Sequence, residues 1–73
     1  MLQQDDLRKR RLIADITQVE LAQKAGCDRT RLSLAERGYV RLKRSELEAI
    51  DAVLCQILAR RLKELQAAMS DTV

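Results

Sequence analysis

Arg29, Thr30, Ser33, Leu34 and Arg37 recur at intervals of one, three and four residues. On a helix that spacing gathers them along one face. The face combines guanidinium donors, hydroxyls and one aliphatic side chain. An arginine offers two parallel N–H donors to O6 and N7 of guanine, a pair worth about 1–3 kcal/mol of discrimination against other bases. A threonine can hydrogen-bond a base or offer its methyl to thymine. Leu34 on such a face is wasteful in water unless an apolar group meets it, a thymine methyl or a partner protein. Arg29, Thr30, Ser33 and Leu34 are therefore the candidate base readers. Arg31, on the shoulder of the same helix, suits a phosphate contact better than a base contact.

The flanking residues supply what would position that face. Thr17 followed by Glu20 forms a capping-box signature. Leu21, Ala22 and Ala25 fall on one side of the short helix that follows, and Gly26 is placed to end it. Asp28 can cap a second helix two residues later, in which Leu32 and Ala35 point inward. Two short helices around a glycine turn, the second with a polar and basic outer face, form a helix-turn-helix arrangement suited to a DNA major groove.

Composition agrees with a small helical protein. The 73 residues include no proline, two glycines and 34% charged residues, with no run of alternating β-formers. With no Trp or Phe and one Tyr, the core must be aliphatic. The expected fold is all-α: a small bundle of four to five helices, one domain over residues 1–73, ending in a long helix. The net charge is +3, but residues 29–44 hold six cations against the single acid Glu36, and Arg8, Lys9, Arg10 and Arg11 form a second cluster. Such local density attracts polyanions. Arg37, Arg41, Lys43 and Arg44 are candidate phosphate contacts, which set register without reading sequence. Tyr39 either joins them through its hydroxyl or packs.

With no histidine and two distant cysteines, Cys27 and Cys55, no metal site is expected and both thiols are expected free in a reducing cytosol. No cofactor is expected, and nothing here organises catalysis. No signal peptide and no bilayer-spanning run are apparent, so the expected location is cytoplasmic.

The opening residues read as a frayed lead-in, with Asp5 or Asp6 capping a first helix that runs to about Ala14. Leu7 is its expected inner anchor, helped by Leu12 or Ile13, and Ile16 packs just before the Thr17 cap. Residues 39–44 form a connector, and Ser45 is the expected cap of the last helix. In it, Leu47, Ile50, Val53, Leu54 and Ile57 suffice to close a core. The apolar stripe nevertheless continues through Leu58, Leu62, Leu65 and Met69, at steps of four, three and four. Unbroken over residues 45–68, this helix is roughly 35 Å long. Either it bends near residues 56–59 and folds back, or residues 56–69 pair with a second copy as a dimerisation helix; an exposed stripe favours the second.

From Leu7 to Leu54 the chain resembles the Cro/repressor-type (XRE-like, lambda-repressor-like) helix-turn-helix DNA-binding family. The resemblance rests on Arg11, then TQ-x-E-LA-x-K-x-G from Thr17 to Gly26, then a recognition helix ending E-R-G at Gly38. It implies that Gln18 touches the DNA backbone and buttresses the recognition helix. It implies base contacts from Arg29, Thr30 and Leu34, and a structural salt bridge between Arg11 and Glu36. Two departures stand out. Asp15 occupies a loop position where many relatives have glycine, and no proline precedes the last helix. The expected function is a dimeric transcriptional repressor of a phage or mobile element, bound to an inverted-repeat double-stranded DNA operator. The alternative is an antitoxin or other interaction module whose last helix binds a foreign protein.

Overall fold

The computed structural model describes residues 2–71, with side chains to Met69. A single 3-10 turn, Gln4–Asp6, leads into α1 (Leu7–Ile13), α2 (Gln18–Ala25), α3 (Arg29–Glu36) and α4 (Arg44–Asp71). All regular structure among the described residues is helical, as composition predicts.

The local chemistry of the middle helices matches their sequence. Thr17 Oγ1 accepts the Glu20 backbone N–H at 3.1 Å and starts α2. Gly26 ends it in the left-handed region (φ 70°), where a β-carbon is strained, and the Cys27 N–H returns to the Ala22 carbonyl. Asp28 precedes α3 in extended backbone, but its side chain makes no cap bond. Asp15, between α1 and α2, adopts φ 55°, a conformation that Asp tolerates better than most residues.

Leu7, Leu21, Leu32, Ile50 and Leu54 are the large, fully buried side chains. Ala14, Ile16, Ala22, Ala35 and Leu42 complete an aliphatic core between α1, α2, α3 and the first half of α4.

Three expectations need correction, and one open alternative is decided. The opening residues are not frayed: Leu2 is buried in the core. Gln4 donates its amide to the carbonyls of Ala35 and Val40, and its oxygen accepts the Leu42 N–H at 2.8 Å. Secondly, Leu12 and Ile13 do not anchor α1; they are exposed. The inner face is Leu7, Arg11 and Ala14, at steps of four and three, with Arg11 held there by an ion pair. Thirdly, Ser45 is not the cap of α4: Glu46 Oε1 accepts the Lys43 backbone N–H at 2.8 Å, and the helix starts at Arg44, two residues earlier than expected.

The open alternative concerns the end of α4. Its 28 residues run unbroken through residues 56–59, about 42 Å at the usual rise. Its last buried residue is Leu54; Ile57 and Leu58 are half-buried and every described side chain from Ala59 to Met69 is exposed. The stripe does not fold back onto the bundle.

Candidate nucleic-acid interface

Arg29, Thr30, Ser33, Leu34 and Arg37 line one shallow cleft of about 210 Å³ on the outer side of α3. Arg29, Thr30 and Arg37 are exposed, while Ser33 and Leu34 are half-buried. The opposite side of α3, Leu32 and Ala35, is sealed against the core. The sequence-derived face is thus one continuous surface.

Its support is a polar hub behind the helix. Arg11 binds Glu36 through two bonds, Nε to Oε2 at 2.7 Å and Nη2 to Oε1 at 3.0 Å, with side chains only 12% and 3% exposed. Arg11 Nη1 also donates to the Ile16 carbonyl, and Gln18 Nε2 donates to Glu36 Oε1 at 3.1 Å. One carboxylate therefore ties α1, the α1–α2 loop and α2 to the last turn of α3. A bidentate, nearly buried pair with its remaining donor satisfied fixes orientation as well as distance. Gln18 takes the buttressing half of its expected role here.

The basic residues separate into two groups. Arg31 is committed to the fold: Nε meets Glu46 Oε2 at 2.7 Å, Nη2 meets Oε1 at 3.0 Å, and Nη2 also reaches the Arg41 carbonyl. That clasp binds α3 to the start of α4. Arg31, foremost, and the Lys43 N–H hold the Glu46 carboxyl at about 2, well below its ordinary value. Spacing alone gave no sign of this pair, whose members lie 15 residues apart. Arg44 forms an exposed i,i+4 pair with Glu48. Among the described residues, Arg29, Arg37, Arg41 and Lys43 enter no ion pair, so their charge is available to a ligand. Tyr39 is 74% exposed, which leaves its hydroxyl open to solvent and excludes a packing role.

The stripe residues Leu62, Leu65 and Met69 are exposed, and Leu58 is half-buried. They lie apart from the α3 face, along the end of α4. Cys27 and Cys55 are free thiols, and burial pushes the Cys27 thiol up. The described residues contain no group of three acidic or sulfur ligands that could hold a metal ion, and no helix is long and apolar enough to cross a membrane.

A capped scaffold helix, a glycine turn and an outward helix bearing unpaired arginines define a DNA-binding helix-turn-helix domain. The helix-turn-helix domain family matches residues 5–56, most of the chain, and the chain belongs to that family. No curated protein and no solved structure matches it.

Proposed function

We infer that the protein is a sequence-specific regulator of transcription that binds double-stranded DNA as a dimer. One α3 enters each major groove of an inverted repeat, with half-sites about one helical turn apart, roughly 34 Å. Repression follows from occlusion of a promoter, in the setting of a phage or other mobile element. The observation that carries this reading is the α3 face: four candidate base readers and Arg37 on one surface, with Arg29 and Arg37 outside any ion pair. Arg29, Thr30, Ser33 and Leu34 read bases. Arg37, Arg41, Lys43 and Tyr39 grip phosphates, with Gln18 and Arg44 at the margin; Arg31 serves the scaffold first. Leu58, Leu62, Leu65 and Met69 form the dimer seam.

Selection of random duplex DNA on the purified chain tests this, with Arg29→Ala alongside. Recovery of an inverted repeat, with a guanine preference lost in the variant, supports a sequence-reading dimer. Recovery of nothing beyond salt-sensitive nonspecific binding overturns it.

A further inference from the structure

The outer flank where α1 meets the second half of α4 is unused by the DNA interface. Ile13 on α1 and Leu58, Leu62 and Leu65 on α4 line a single cleft of about 530 Å³, whose lining Arg61 and Glu64 complete. Ile13 is 60% exposed, Leu62 57% and Leu65 63%. Two helices thus turn apolar side chains toward one open space, and neither covers the other.

We propose that a second copy of this chain fills the cleft with its own α4, antiparallel to the first, about a two-fold axis between Leu62 and Leu65. The proposal rests on the dimer reading above and gives it a geometry and an additional residue, Ile13. Spacing suits this occupant. The steps from Leu58 to Leu62, Leu65 and Met69 are four, three and four, which read the same in both directions. The axis therefore sets Leu58 against Met69 of the second copy and Leu62 against its Leu65, so that one stripe is its own complement. An antiparallel isologous pairing requires that property.

The flanks of the stripe fit the same axis. Helical geometry puts Ala59 and Gln66 on one flank and Arg61 and Ala68 on the other. The axis brings Arg61 opposite Ala68 and Ala59 opposite Gln66, so like charges do not meet across the seam. Arg61 leans instead toward Asp15, at 3.6 Å. Ala68 of the second copy is short enough to lie beside Ile13, which makes α1 the wall of the groove.

Thiol cross-linking of the full chain tests the geometry in a Cys27→Ala, Cys55→Ser background that retains its helical circular dichroism. With a short bismaleimide, the Leu58→Cys, Met69→Cys double variant is expected to form covalent dimers, whereas neither single variant does. In the proposed pair, like positions lie about 16 Å apart along the seam. Efficient cross-linking of Met69→Cys alone overturns the antiparallel axis and leaves the dimer standing. A sedimenting dimer that neither set cross-links overturns the α4 seam. A monomer throughout the micromolar range overturns the dimer reading itself. Independently of the thiols, Ile13→Glu in the otherwise native chain is expected to weaken dimerisation at least tenfold without lowering the melting temperature of the dilute monomer. An unchanged dimer constant removes Ile13 and α1 from the interface.

Discussion

The two halves of α4 are built from similar residues and placed in opposite surroundings. In the first half Ile50 and Leu54 have no exposure, and Asp51 and Glu46 bind arginines from α1 and α3. In the second half Leu62, Leu65 and Met69 are mostly in water. The difference follows from what lies opposite. The bundle made by residues 2–42 spans only the first few turns of α4, and helix propensity alone carries the backbone past it. No glycine or proline occurs between residues 44 and 71 to stop it. The first half thus belongs to the fold, and the second is left to the association proposed above. Substitutions in the first half and its partners should be read as stability, and those in the second as association.

The sharpest break in that comparison is expected at the polar hub. Glu36→Ala removes a carboxylate that is 3% exposed and leaves the Arg11 guanidinium, 12% exposed, without its counter-charge. Losing one partner of a buried pair costs about 3–5 kcal/mol. For 73 residues the total stability is of order 4–11 kcal/mol. Chemical denaturation should therefore show Glu36→Ala largely or wholly destabilised. Leu65→Lys, on the overhang, should leave monomer stability within about 0.5 kcal/mol. Equal losses in the two variants would mean that the overhang is part of the fold.

These same elements show where the sequence was readable. Caps and turns are local, so Thr17, Glu20 and Gly26 declared both ends of α2. The outward face of α3 was legible because Leu32 and Ala35 leave only one side of the helix for solvent. The inner face of α1 was not, because its middle residue is the charged Arg11. Hydrophobic periodicity cannot count an arginine as an inward residue when its partner, Glu36, lies 25 positions away. Leu12 and Ile13 were then assigned inward by default. The Arg31–Glu46 pair is hidden from the pattern for the same reason, its acid lying across the turn from α3 to α4. Local pattern specifies elements, and long-range ion pairs decide which face of an element turns inward.

The next test asks how far the fold extends toward the N-terminus. The Gln4 side chain meets three backbone groups, at Ala35, Val40 and Leu42. Gln4→Ala leaves partly buried acceptors and one donor without those bonds, a loss of about 1–3 kcal/mol. Amide hydrogen exchange should accelerate at Leu42 before it does in α2, because the Leu42 N–H loses its acceptor directly. Unchanged protection there would return the first residues to a role outside the fold and shorten the stable half of the molecule.

The smallest expected effect concerns the junction between the recognition helix and α4. Glu46 titrates at about 2 in the folded chain instead of 4.5, principally through Arg31. Its folded value is depressed, so its contribution is complete above pH 4.5 and is lost as pH falls from 4.5 toward 2. The pair is partly exposed, at 37% and 20%, so solvent and salt screen it and the loss is modest. Glu46→Gln should lower the melting temperature by a few degrees at pH 7 and flatten the part of the acid-stability profile below pH 4.5 that this carboxylate contributes. Arg31→Ala should reproduce the stability loss while leaving the base preference of selected DNA unchanged, because the Arg31 guanidinium is already occupied by Glu46. A changed base preference in Arg31→Ala would instead place that arginine in the groove beside Arg29, and the clasp would have to open when DNA binds.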